Sequence, residues 1–200
     1  MKILVTAFEP FGGEKVNPAQ EAVAKIDARS HGAEIVKVSV PVAFGEAIET
    51  VYAAMKAERP DVVLCIGQAG GRSAVTPERV AINVNDAGSP DNNGNQPVDE
   101  SIFEDGAAAY FSTLPIKRIV ERVRAAGVPA GVSNSAGTYV CNHLMYGVLY
   151  YIEKEFPGMR GGFVHVPYLH EQVLSRMGVP SLSLEDMVKA IDAVIAAIAE

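Results

Sequence analysis

Two cysteines, four histidines and a scatter of carboxylates hold most of the reactive chemistry available to this chain. Cys141 stands in Ser135-Ala-Gly-Thr-Tyr-Val-Cys-Asn142, between an expected strand and the helix it opens. A thiol in the first turn of a helix faces N–H groups that lack intrahelical acceptors and the positive end of the helix dipole, and both favour a thiolate. The same residue heads the apolar stripe Leu144, Met145, Val148, Leu149 and Ile152, so the pattern fits a nucleophile and an ordinary core cysteine alike. Cys65, flanked by Leu64 and Ile66 in an apolar run, reads as core.

A cysteine nucleophile needs a base, and the histidines differ in setting. His31 lies in a polar turn, and His170 follows Tyr168 in a loop. His143 is two positions after Cys141, about 200° around a helix, so its ring points away from the thiol. His165 sits in Gly162-Phe-Val-His-Val-Pro167, a polar ring in an apolar strand, where it reads equally as a base or as a satisfied core histidine. A carboxylate that orients the imidazole would complete the set, and Asp61, Glu78, Asp86 and Asp91 all lie near expected strand ends. Spacing does not choose among them.

The elements that must position these groups alternate. Residues 2–6 read as a strand, and Asn17-Pro18 then supplies a cap and a first-turn proline for a helix carrying Ala22, Val23 and Ile26. Glu34 to Val40 returns as a strand, and Ala47, Ile48, Val51, Tyr52 and Met55 follow at helical spacing. Asp61 to Ile66 is an almost wholly apolar run closed by Gly67, the pattern of a strand buried on both faces. Further strands are expected at Glu78 to Val84, Gly131 to Ser135 and Gly162 to Val166. Helices are expected from Pro115, over Val140 to Phe156, and after the cap Ser183-Leu-Glu-Asp186. This order predicts an α/β fold: a single domain over residues 1–200, with a mostly parallel twisted sheet and helices on both faces. Ligands in such sheets bind beyond the carboxyl ends of the strands.

Composition narrows the partners. At 48% hydrophobic and 20% charged the chain is globular, and its formal charge of -7 with no basic cluster argues against nucleic acid and anionic membrane as partners. No apolar stretch approaches the ~18 residues of a membrane span, and the two cysteines make no disulfide framework, so a cytoplasmic location is expected. The turn Gly67-Gln-Ala-Gly-Gly-Arg72 is glycine-rich but matches neither common phosphate-binding pattern. Asn85 to Glu100 is a long polar loop that either covers a site or is mobile.

Six blocks in order resemble the cysteine-type pyroglutamyl peptidases, also called pyrrolidone-carboxylate peptidases. They are Thr6-Ala-Phe-Glu-Pro-Phe-Gly-Gly13 with Asn17-Pro18, Gly67 to Arg72, Pro77-Glu-Arg-Val-Ala-Ile-Asn83, Tyr110 to Lys117, Ser133 to Asn142, and Gly162 to Tyr168. The resemblance spans nearly the whole chain. It implies a catalytic set of Glu78, Cys141 and His165, no metal and no other cofactor, substrates that are peptides with an N-terminal pyroglutamate, and a homo-oligomer, commonly a tetramer. For the substrate, a neutral flat lactam calls for apolar walls and a few amide partners. Phe8 and Phe11 supply walls, Gln68 offers an amide, Asn17 holds the Phe8 to Gly13 loop, and Tyr139 and Val140 border the nucleophile.

The chain departs from the family pattern at Asp86-Ala-Gly-Ser-Pro-Asp-Asn92, where Gly88 and Ser89 replace a usual arginine and a usual apolar residue, and His170 stands where proline is frequent. Two other readings use the same residues: a nucleoside phosphorylase or hydrolase built on the Gly67 to Arg72 turn, and a non-catalytic peptide-binding relative.

Overall fold

The computed structural model describes residues 1–200. The first part alternates strand and helix: β1 (Lys2–Phe8), α1 (Pro18–Ala24), β2 (Arg29–Ser30), β3 (Ala33–Val40), α2 (Glu46–Glu58) and β4 (Val62–Gln68). Three short strands follow, β5 (Thr76–Pro77), β6 (Val80–Ile82) and β7 (Ala109–Phe111), then α3 (Ile116–Ala125), α4 (Val140–Glu155) and β8 (Arg160–Val166). β9 (Tyr168–Leu169), a 3-10 turn at His170–Val173, β10 (Ser181–Leu182) and α5 (Leu184–Ala199) complete the chain.

The main sheet runs β2-β3-β1-β4-β8-β5. Its four central strands are mutually parallel, while β2 and β5 pair antiparallel at the edges. β4 is buried on both faces, as its unbroken Val-Val-Leu-Cys-Ile run requires. Alternation divides each strand between two cores. Ile3, Val5, Leu64, Ile66 and Val164 face the layer that contains α1, α3 and α5, whereas Leu4, Val63, Cys65 and Phe163 face the layer of α2 and α4. The expected architecture is therefore the observed one.

Three expectations change. Gly67 does not close β4; it pairs with His165 inside the ladder, which continues to Gln68. Gly131 to Ser135 is not a strand, because only Ala130 and Ser133 make isolated bridges, to Val75 and Glu78. Glu78 to Val84 is ladder only over Val80–Ile82. Its end is held instead by the fully buried Asn142, which accepts from Ile82 N–H at 2.9 Å and donates to the carbonyls of Ile82 (2.9 Å) and Val84 (3.0 Å). β7 pairs with β6 antiparallel, and the Asn142 amide fastens the end of this segment to the start of α4.

Candidate active site

The carboxyl ends of β1, β4 and β8 meet the N-terminus of α4, and strand parity decides which side chains gather there. His165 and Phe163 share one face of β8, and their register partners Gly67 and Cys65 share the same face of β4. A Cβ built on Gly67 would lie 2.7 Å from the Phe163 ring and 3.1 Å from Cys141 Sγ. Glycine is required here because the thiol and the Phe163 ring occupy the space of a side chain. Cys141 therefore rests against the strand residue paired with His165.

His165, 4% exposed, places Nδ1 2.7 Å from Oε1 of Glu78, which is completely buried. Glu78 reaches this point because its segment leaves β5 on the edge of β8, with its N–H bonded to the Phe163 carbonyl at 2.9 Å. The same Oε1 accepts from the Arg72 guanidinium at 2.5 Å, and Arg72 also donates to Thr76 Oγ1 (2.6 Å) and to the Ser135 carbonyl (3.2 Å). Oε2 is buried without a hydrogen-bond partner, so all the ion pairing converges on one oxygen. Burial pushes Glu78 upward, but the hydrogen bond and charge of His165, joined by the Ser133 hydroxyl and then Arg72, outweigh it and hold the carboxyl below its ordinary value. An ionised carboxylate only accepts, so Nδ1 carries the imidazole proton and Nε2 is left free to take one.

Burial also keeps the His165 imidazole below its ordinary pKa, against the pull of Glu78 and with the Arg72 charge adding to the depression. The Cys141 thiol is pushed up to about 12, first by burial and then by the Glu78 charge, while Arg72 opposes. Desolvation thus opposes the thiolate that the helix dipole favours, although the Cys141 residue itself is only half-buried. Cys65 is raised to about 12 by complete burial and has the inert environment expected of it.

A narrow cleft lies beside Cys141, lined by Phe8, Phe11, Asn17, Val42, Gln68, Tyr139 and Val140. All six residues named from the sequence for the substrate pocket are on that lining. Asn17 Oδ1 caps α1 through the Ala19 N–H at 3.0 Å, and its Nδ2 donates to the Glu9 carbonyl at 3.0 Å, which ties down the loop that carries Phe11. Phe11 packs near Tyr139, with ring centroids 6.5 Å apart. Val42 was missed. It follows β3, and the rule that ligands gather at the carboxyl ends of parallel strands pointed to its neighbourhood.

The remaining polar candidates are employed elsewhere. Asp91 accepts N–H bonds from Phe44, Asn93 and Asn95 at 2.8–2.9 Å, which overcome its burial and lower its pKa. Asp61 accepts from the Lys2 N–H at 2.7 Å, and Asp86 is exposed. His31 pairs with Asp192 and His170 with Ser181 at the surface. His143 turns away from the thiol, as helical geometry predicted, and bonds Asn85 and the Gly45 N–H. Arg72, the end of the glycine-rich turn and, with Arg79, a candidate for the positive charge that Gly88 lacks, bends inward onto Glu78, so that turn has no cation facing outward for phosphate.

The long loop is fixed in place. Asn85 and Glu100 exchange backbone hydrogen bonds at 2.7 and 3.0 Å, and the Asp86 N–H bonds the Thr138 carbonyl at 3.0 Å. Tyr139 donates its hydroxyl to the Pro90 carbonyl at 3.0 Å. Gly88 and Ser89 lie between these two anchors, exposed, so the loop covers the approach to the residues just before Cys141.

Comparison with known proteins places the chain in a family. A family model for pyroglutamyl peptidase matches residues 1–200. A pyrrolidone-carboxylate peptidase of Lactobacillus johnsonii is 56% identical over 200 residues, covering 100% of this chain and 93% of that protein. One of Thermosipho africanus is also 56% identical, covering 99% of this chain and 97% of its own. Among solved structures, pyroglutamyl peptidase I of Bacillus amyloliquefaciens superposes with a TM-score of 0.95 at 50% identity, covering 99% of this chain and 96% of that one. A mutant pyrrolidone carboxyl peptidase of Pyrococcus furiosus gives 0.95 at 40% identity, with 99% and 98% covered. No helix is long and apolar enough to cross a membrane. The chain belongs to the pyroglutamyl peptidase family, and is a cysteine-type member of it.

Proposed function

We propose that this chain removes an N-terminal pyroglutamyl residue from peptides by acyl transfer through Cys141, His165 and Glu78, acting as one domain over its whole length. The observation that carries the reading is the buried Glu78 carboxylate on His165 Nδ1, with Cys141 Sγ against the strand partner of that histidine. As the thiol attacks the pyroglutamyl carbonyl carbon, His165 Nε2 takes its proton. The carbonyl electron pair moves to oxygen, which the Cys141 backbone N–H in the first turn of α4 is placed to receive. The tetrahedral adduct collapses with cleavage of the C–N bond, and the imidazolium gives its proton to the departing amine. Water then attacks the thioester with His165 again as base, pyroglutamate leaves, and the proton returns to sulfur. Glu78, held by Arg72, keeps one tautomer of His165 throughout, and its carboxylate stabilises the transient imidazolium.

The cleft suits a neutral ring. Phe8, Phe11, Val42 and Val140 give apolar walls, Gln68 and Asn17 give amides, and no carboxylate lines the cleft to hold a free N-terminal ammonium. Cleavage of pyroglutamyl, glutaminyl and prolyl amides of one fluorogenic amine, alongside nucleoside with phosphate, tests the reading. Only the pyroglutamyl amide should turn over rapidly; equal rates on the prolyl and pyroglutamyl amides, or reaction only with the nucleoside, would refute it. The reading includes a cytoplasmic setting and a homotetramer, the latter checked by light scattering.

A further inference from the structure

Gln172 does not line the cleft, yet it is only 8% exposed, in the 3-10 turn His170–Val173. Its Oε1 accepts the Leu169 N–H at 2.9 Å. A backbone N–H can only donate, so this bond fixes which end of the Gln172 amide is oxygen. The other end, Nε2, lies 2.9 Å from Oε1 of Gln68. That nitrogen carries only hydrogens to share, so Gln68 must turn its oxygen toward Gln172. The Gln68 amide nitrogen, which donates to nothing in the chain, is the end left for the cleft that Gln68 lines.

We propose that Gln172 is a specificity-positioning residue: it locks the Gln68 amide with its N–H donor toward the cleft, so that the cleft selects substrates by the ring carbonyl of a lactam. The proposal rests on the pyroglutamyl reading of the site. A lone glutamine at a cleft edge offers a donor or an acceptor with a simple flip, and would accept ring carbonyls and ring N–H groups alike. Here the choice is made by two successive hydrogen bonds, the first of which starts at a backbone N–H. The lactam carbonyl only accepts, so it gains from Nε2 and would be repelled by Oε1 in the flipped amide. A prolyl ring has methylene at that position and is indifferent to the flip. Gln172 therefore acts on the difference between the two substrates and not on the chemical step.

The test uses Gln172→Glu, which keeps an acceptor for the Leu169 N–H but replaces the donor to Gln68 with a second oxygen, and Gln172→Met, which removes the donor without adding charge. KM and kcat are measured on pyroglutamyl and prolyl amides of the same amine. Protection of Cys141 from iodoacetamide by 2-pyrrolidone, the bare lactam, is measured in parallel because it needs no turnover. In both variants KM for the pyroglutamyl amide should rise about tenfold or more, with protection by 2-pyrrolidone weakened by a similar factor. The prolyl rate should change less than about twofold, and in Gln172→Met, which adds no charge, the pH profile of Cys141 alkylation should not move. Should Gln172→Glu fail to fold, Gln172→Met supplies the same readouts. Unchanged protection, or equal losses on both substrates, would overturn the proposal while leaving the functional reading intact. A wild-type protein that neither cleaves the pyroglutamyl amide nor is protected by 2-pyrrolidone would overturn both.

Discussion

Arg72 and His165 converge on a single oxygen: Glu78 Oε1 lies 2.5 Å from the guanidinium and 2.7 Å from Nδ1. The imidazole is thus oriented by a carboxylate that is itself held by a third group. The arginine works in two directions: its hydrogen bond helps keep Glu78 ionised, while its charge disfavours a proton on His165 and favours the Cys141 thiolate, the last by less than burial opposes it. Arg72→Met should lower kcat by about 10–100-fold with little change in KM, because the group it disturbs orients the base and touches no substrate. The acid limb of kcat/KM should move to higher pH, since removal of a neighbouring positive charge lets His165 take a proton more readily. Arg72→Lys should restore the position of that limb but not all of kcat, because an ammonium cannot span Glu78, Thr76 and Ser135 together. A KM effect with an unmoved limb would argue that Arg72 is purely structural.

The two cysteines should separate cleanly. Cys141→Ala should reduce pyroglutamyl cleavage by more than ~1,000-fold at nearly unchanged stability. Cys65→Ser places a hydroxyl at a completely buried position and should lower unfolding free energy by ~1–3 kcal/mol while kcat stays within about threefold. Kinetics and urea denaturation on the two variants check this.

The thiol pushed up to about 12 predicts how Cys141 alkylates. In the free protein the iodoacetamide rate should keep climbing above about pH 8, without the plateau near neutrality that a thiolate–imidazolium pair would give. Gly88→Arg is a gain-of-charge test: a Cβ there meets no atom within 4 Å, and its loop is anchored to the Thr138 and Tyr139 backbone and side chain just before the thiol. The variant should shift the alkylation profile to lower pH, and Ser89→Ile should lower KM. No change in either quantity would mark these positions as neutral.

Stability should fall in acid through His143. The Gly45 N–H donates to its Nε2 at 2.9 Å, so the proton resides on Nδ1 and is given to Asn85 Oδ1 at 3.0 Å. Burial lowers its pKa from 6.5 to about 4. The unfolded chain therefore binds a proton first as pH falls, and stability that is complete above about 6.5 is lost progressively down to about 4, on the order of 3 kcal/mol from this group. Glu78 and His165, both shifted downward, act in the same sense. Urea denaturation of wild type and His143→Gln at about pH 7.5 and about pH 4.5 isolates the His143 share as the difference in their pH slopes.

Much of this protein was readable from residue order because the determining interactions are local. Unbroken apolar runs such as Val62 to Ile66 can only be central strands, Asn17-Pro18 and Ser183 mark helix starts by satisfying N–H groups within three residues, and the 200° between Cys141 and His143 follows from helix pitch. The family blocks also located the cleft residues. Tertiary structure decided what local rules leave degenerate. Four carboxylates sat near strand ends, and only packing of the Glu78 segment against the edge of β8 brings one to His165. The dipole argument for a Cys141 thiolate lost to burial, a quantity set by everything packed around the site. Gly67 reads in sequence as a strand stop, but in space it is the gap that the thiol and Phe163 fill. Arg72 could be named from the sequence as a possible charge near the thiol, but its bond to Glu78, like that of Gln172 to Gln68 across 104 residues of chain, exists only once both partners have been folded into place.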